Sequence, residues 1–173
     1  FMQNKKLGYT RDQIVYIPYQ EQNVFDKTST IRTELLKHPN IDKVTIPVSL
    51  PLNMITQGVE HKWEGNTTKE ELLIYQNFVD YDFLDLFEID LLTGRNFSPT
   101  FPTDSSDSYI LNETAVKKLG WDSSSAIGKS FANGKVIGVV KDFHFLRFDL
   151  AIEPLYLTFH NKQTSFYAGN IAL

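Results

Sequence analysis

A chain of 173 residues with hydrophobic residues at 42%, thirteen Phe and eight Tyr has the apolar material for one ordered domain, which excludes a disordered chain. A formal net charge of -4 provides no field that draws phosphate backbones or anionic lipid, so nucleic acid is set aside as a partner, and no apolar run approaches the ~20 residues that span a bilayer. The absence of cysteine removes disulfides, thiol nucleophiles and thiolate metal sites together.

The opening FMQNKKLGYTRDQ lacks the apolar stretch of a signal peptide, and its abrupt start on Phe1-Met2 leads us to expect a piece of a longer protein. Residues 14–17 are β-branched or aromatic and Pro18 closes the run, which predicts a short buried strand. From residue 28 to 38 the period becomes helical: Ile31 and Leu35 are four apart, Leu36 flanks them, Thr28, Ser29 or Thr30 supplies a cap, and Pro39 a stop. Residues 41–49 alternate Val44, Ile46 and Val48 against Lys43, Thr45 and Pro47, the period of a half-buried strand, with Pro47 favouring an edge.

Val59, His61 and Trp63 share one face of residues 58–65, and Gly65-Asn66 supplies turn chemistry for a hairpin with residues 71–80. In that second arm Thr67 and Glu70 imitate a helix capping box, but Ile74, Tyr75, Phe78 and Val79 favour a strand, the assignment adopted here. Residues 81–88 read as a short helix with Phe83, Leu84 and Phe87 inward and Asp82, Asp85 and Glu88 outward, followed by a turn at residues 93–96. Residues 98–108, SPTFPTDSSDS, are the most loop-like stretch. Tyr109-Ile-Leu is a strand, Asn112 caps a helix carrying Ala115, Val116 and Leu119 inward, and Gly120 suits the left-handed position past its end. Residues 136–140 form an apolar strand, with Asn133-Gly134 turning it back on residues 129–132; residues 155–159 and 166–171 are the last strands.

Candidate chemistry is sparse. Gly128-Lys129-Ser130 imitates the end of a phosphate loop, but Ser123 stands where the loop needs its first glycine. Asp80, Asp82, Asp85, Glu88 and Asp90 could hold a hard cation, yet their spacing fits no calcium loop, and the outer face of a short helix accounts for most of them. His38, His61, His144 and His160 are too scattered for a ligand pair, and Asp142 with His144 has no serine in a nucleophile elbow to activate. No catalytic, cofactor-binding or metal residue is expected.

The order of four segments carries more information: VDYDFLDLFEIDLLTGRNFS, YILNETAVKKLGW, AIGKSF and GKVIGVVKDFHFLRFDLAIEPLYL. Together they resemble the periplasmic core domain of MacB/FtsX-like ABC transporter permeases. A "GR-F" turn is matched by Gly94, Arg95 and Phe97, an "N-E-x-A" helix start by Asn112, Glu113 and Ala115, an "IGK" turn by Ile127, Gly128 and Lys129, and a "V-x-GVV-x-D" strand by Val136, Gly138, Val139, Val140 and Asp142. The N-terminal stretch also looks like the one that follows the first transmembrane helix of such permeases.

The resemblance implies an α+β fold in which a porter-like αβ lobe carries a second, inserted mixed α/β lobe. Residues 1–173 would be one extracytoplasmic core, with residues 10–92 and 150–173 in the porter-like lobe and 95–148 in the inserted one. It implies partners too: transmembrane helices of the same permease, an ATPase subunit or domain, a second permease copy, and an extracytoplasmic protein or peptide client. The place is the periplasmic or extracytoplasmic side of the bacterial inner membrane, and the role is to relay ATP-driven motion without cofactor or catalysis. Gly94, Arg95, Asn112, Gly128, Gly138 and Asp142 then read as structural residues, the glycines for tight turns or close backbone approach and Arg95 for fixing a turn. The competing readings are a stand-alone extracellular sensor or ligand-binding module, and a hydrolase.

Overall fold

The computed structural model describes residues 7–54, 57–60, 62–159 and 168–173. The first strand, β1 (Tyr16–Tyr19), starts two residues later than the apolar run suggests, contains Pro18 within it, and is exposed at three of its four positions rather than buried. Val15 and Leu173 exchange both backbone hydrogen bonds, so the antiparallel alternation turns position 18, which has no N–H, toward the open edge. Proline costs no ladder bond there.

Helices α1 (Gln22–Phe25) and α2 (Thr28–Leu35) follow. The expected hydroxyl cap on α2 does not form: Lys27 holds the cap position, and the Thr28 hydroxyl instead donates back to the Phe25 carbonyl at 2.8 Å. The expected edge strand over residues 41–49 is also different. Its backbone bonds Ala172 in both directions through Thr45, accepts from the Asn170 N–H at Pro47, and donates from Val48 to Phe78. The segment is therefore wedged between two sheets, and residues 44–47 are buried in succession instead of alternately.

Strand β2 (Gln57–Glu60) and β3 (Leu72–Val79) make the expected antiparallel hairpin; of its anticipated face, Trp63 bridges Phe131, Val59 is exposed, and His61 lies outside the described residues. In α3 (Phe83–Leu86), Phe83 and Leu84 are buried, as is Phe87 just beyond. Where a turn is predicted at residues 93–96, the chain instead runs as β4 (Leu91–Gly94), because it pairs antiparallel with a distant strand. A 3-10 turn, Pro102–Ser105, leads to β5 (Ser108–Asn112), α4 (Glu113–Lys118) and α5 (Ser123–Ala126). The last strands are β6 (Ser130–Phe131), β7 (Gly134–Val140), β8 (Leu155–Phe159) and β9 (Gly169–Ala172); residues 166 and 167 of the final predicted strand lie outside the described residues.

These elements form an α+β domain around one mixed, curled sheet of seven strands, ordered β2-β3-β8-β5-β7-β4 with β6 on β7, while β1 and β9 form a second, two-stranded sheet. The strand period of two divides the interior. In β5, Ile110 enters one core with Val79, Phe83, Phe143 and Leu157, whereas Tyr109 and Leu111 enter another with Val116, Phe131 and Val139 on the opposite face. Tyr19, Phe25, Val44, Ile46 and Ile171 make a third, smaller core under α1 and α2. Strands from both expected lobes share the main sheet: β5 of residues 95–148 hydrogen-bonds β8 of residues 150–173.

Gly94 and Gly138 face one another across the β4–β7 pair. A Cβ on Gly138 would stand 2.6 Å from the Arg95 carbonyl oxygen, and one on Gly94 2.3 Å from that of Ile137, where Gly94 also holds φ +80°. Gly138→Ala is expected to lower stability by about 3 kcal/mol, the upper end of the usual range for overpacking with backbone displacement. Gly128→Ala, at φ +83° but with nothing within 4 Å, should lose only ~1–2 kcal/mol of left-handed conformational preference. Denaturant melts of the two variants compare these losses, and equal values would show that backbone approach at β4–β7 is not limiting.

Candidate functional site

Asn112 closes β5 and opens α4 with one fully buried side chain. Its Oδ1 accepts from the Ala115 N–H at 2.9 Å and from the Leu155 N–H at 2.9 Å, while Nδ2 donates to the Glu153 carbonyl at 3.0 Å. The helix cap read from the sequence is thus also the joint between β5 and the entry to β8. Asp142, just past β7, accepts from the Thr114 N–H at 3.0 Å and its hydroxyl at 2.8 Å, and Glu113 Oε2 accepts in return from the Asp142 N–H at 3.0 Å. Both oxygens of Asp142 therefore serve α4, not His144, which is buried and donates its backbone N–H to Leu7.

Arg95 is held away from this joint. Its guanidinium forms a two-pronged pair with Asp104, at 2.6 and 2.8 Å, and lies 3.8 Å over the Phe101 ring. Asp104, whose side chain has no exposure, also accepts from the Ser98 N–H and the Ser108 hydroxyl, each at 2.9 Å. Burial pushes this carboxyl up, but Arg95, Ser98 and Ser108 together outweigh it and hold the group below its ordinary value. The loop-like stretch 98–108 is thereby ordered around a charge that sequence reading passed over, because Asp104 sits among residues that look like a solvated turn. Gly128 lies elsewhere, donating its N–H to Val136 at 2.8 Å.

A second buried carboxylate is Asp80, from the acidic stretch expected to form a solvated face. Asp80, at the end of β3, accepts from the Thr45 hydroxyl, the Ile46 N–H at 3.0 Å, Arg32 at 2.9 Å and the Asp82 N–H at 3.3 Å; Arg32 also pairs with Asp82. Burial, with the Asp80 charge nearby, pushes the Tyr19 phenol up to about 12. Asp85, Glu88 and Asp90 are exposed, and among the described residues no group of three or more His, Asp or Glu is placed to hold a metal ion. Lys129 of the phosphate-loop imitation pairs with Glu64 at 2.8 Å and faces the Trp121 ring. Gly94, Gly138, Asn112 and Asp142 converge on the β4, β5 and β7 strands, while Gly128, Arg95–Asp104 and Asp80 lie apart from them.

The α+β fold resembles that of solved domains from transporter and permease proteins. It is shared with the periplasmic region of MacB from Actinobacillus actinomycetemcomitans, at a TM-score of 0.63 and 17% identity over 95% of this chain and 75% of that one. It is shared too with the extracellular domain of the noncanonic ABC-type transporter YknZ from Gram-positive bacteria, at a TM-score of 0.56 and 14% identity over 92% of this chain and 80% of that one. At such identities the likeness is one of fold. No protein-family model and no curated protein sequence matches the chain.

The Asp104 pair generates a test with a defined sign. Its folded value is depressed, so its contribution is present at neutral pH and is lost as pH falls through that folded value. Arg95→Ala leaves a buried carboxylate without its cation and should cost about 3 kcal/mol at neutral pH. The remaining Asp104 then titrates higher, so the acid loss begins at higher pH than in the wild type. Urea melts repeated from neutral to acid pH check both, and an unshifted acid limb would show that Asp104 does not depend on Arg95.

Proposed function

We propose that this chain is the extracytoplasmic domain of an ABC transporter permease and relays ATP-driven motion to an extracytoplasmic client or partner, in export or in mechanotransmission. The observation that carries this reading is a fold shared with two such domains over 95% and 92% of the chain. The fate of its polar groups adds support. Asn112, Asp142, Asp104 and Asp80 all have their oxygens engaged in holding elements together, which suits a body that transmits force. The domain is not itself an enzyme. Its partners on this reading are transmembrane helices of the same permease, an ATPase subunit or domain, a second permease copy, and a protein or peptide client outside the inner membrane.

Residues 10–92 with 150–173, and residues 95–148, remain the proposed lobes. Because β5 and β8 are hydrogen-bonded neighbours, motion between them travels through a continuous sheet. The joint we assign to coupling is Asp80, which links α2 and residues 45–46 to the end of β3.

Asp80→Asn in the full permease tests the relay. Losing the charge-assisted bonds should cost about 1.5–3 kcal/mol, which an otherwise well-folded domain survives. Client export or partner activation is measured in membranes beside expression and basal ATP hydrolysis. Export should fall steeply while the other two persist; full export with the domain deleted would remove the relay role altogether. In the isolated domain, calorimetry with Mg-ATP should show no heat of binding. A saturable isotherm abolished by Lys129→Ala would instead restore the nucleotide reading.

A further inference from the structure

Beside β1 the surface opens into a cleft of about 640 Å³, which lies inside the size range of small-molecule sites. Its walls are mainly apolar: Tyr9, Tyr16, Leu50, Leu52 and Phe87 line it, and Tyr9 is braced edge-on against Phe87 with ring centroids 6.2 Å apart. Arg11 is the one formal charge among the described lining residues, and no salt bridge or hydrogen bond with a described residue holds its guanidinium. Every other arginine described is paired: Arg32 with Asp80, Arg95 with Asp104 and Arg147 with Asp149. The hydroxyls of Tyr9 and Tyr16 likewise lack hydrogen-bond partners among the described residues. Leu52 holds φ +67° at this wall, a left-handed conformation that a leucine rarely adopts and that tends to persist where a site is built.

We propose that this cleft binds a single-chain anionic amphiphile of the fatty-acid class, its acyl chain against the aromatic and leucine wall and its carboxylate at Arg11. The charge complementarity is one-sided, since among the described residues no Asp or Glu lines the cleft to compete for that guanidinium. An extended peptide fits less well. Strand addition needs a ladder of donors along the free edge of β1, and Pro18 presents none at its position there. A fatty acid needs no ladder; its demands are an apolar wall and one cation with hydroxyl donors near it. This assignment does not rest on the relay reading, and its test uses the 173-residue chain alone.

The probes are sodium laurate below its micellar concentration, dodecyltrimethylammonium with the same chain length and opposite charge, and an unacylated acidic peptide, each titrated calorimetrically. Laurate should bind saturably at one site, with the cation and the peptide silent. Arg11→Gln should weaken laurate by about tenfold, the equivalent of one charge-assisted hydrogen bond. Arg11 and Tyr16 are exposed, so Arg11→Gln and Tyr16→Ala leave the packed cores intact, which a melt beside the titration verifies. Tyr16→Ala should weaken laurate as well. Unsaturable heat, equal binding of the cationic amphiphile, or laurate binding indifferent to both substitutions would overturn the proposal. So would peptide binding at the cleft, or sedimentation showing a second copy of the chain covering it.

Discussion

A carboxylate that draws hydrogen bonds from the Thr45 hydroxyl, two backbone N–H groups and an arginine joins whatever elements carry those donors. Asp80 does this at the end of β3, and the donors come from α2, from residues 45–46 and from the turn before α3. The third hydrophobic core, small and built on Tyr19, Phe25, Val44, Ile46 and Ile171, has little apolar area of its own. Its attachment to the main sheet therefore leans on Asp80, the Ser49–Asn77 pair of hydrogen bonds and the Val48–Phe78 bond. Directional contacts of this kind hold an angle better than they hold a great deal of free energy. The relay proposed for this domain would need that angle.

The same logic runs through the joint between β5, β7 and α4. Asn112 and Asp142 end adjacent parallel strands, and both turn their oxygens onto the first amides of α4. An open helix start at the carboxyl ends of parallel strands is where many α/β proteins place a ligand. Here the chain's own side chains occupy those amides, so α4 is welded to the sheet. The cleft beside β1 is the contrasting case, since Arg11, Tyr9 and Tyr16 line it and their polar ends have no such partners among the described residues.

Local periodicity was a good guide where burial was one-sided. The inward set Phe83, Leu84 and Phe87 and the strand at residues 72–79 emerged as read, because a helical stripe or a run of β-branched and aromatic residues reports its own environment. It misled where environment was set from outside. Residues 44–47 alternate in polarity yet are all buried, since strands lie on both sides of them, and Thr45 is accommodated only because Asp80 accepts its hydroxyl. Residues 91–94 are a strand because β7 lies beside them, although Thr93-Gly94-Arg95-Asn96 has the composition of a turn.

From the sequence by itself came the α+β class, most elements and the cap at Asn112, whose acceptor and amide lie three residues apart on one turn of chain. The order of short motifs also pointed to the permease-type fold. Tertiary structure alone decided which acids are buried and what they hold: Asp80 meets Arg32 across 48 positions and Thr45 across 35, and Asp142 meets Thr114 across 28. A hydrogen bond acts over about 3 Å and carries no sequence period, so a buried carboxylate and a solvated one look alike until the chain has folded around them.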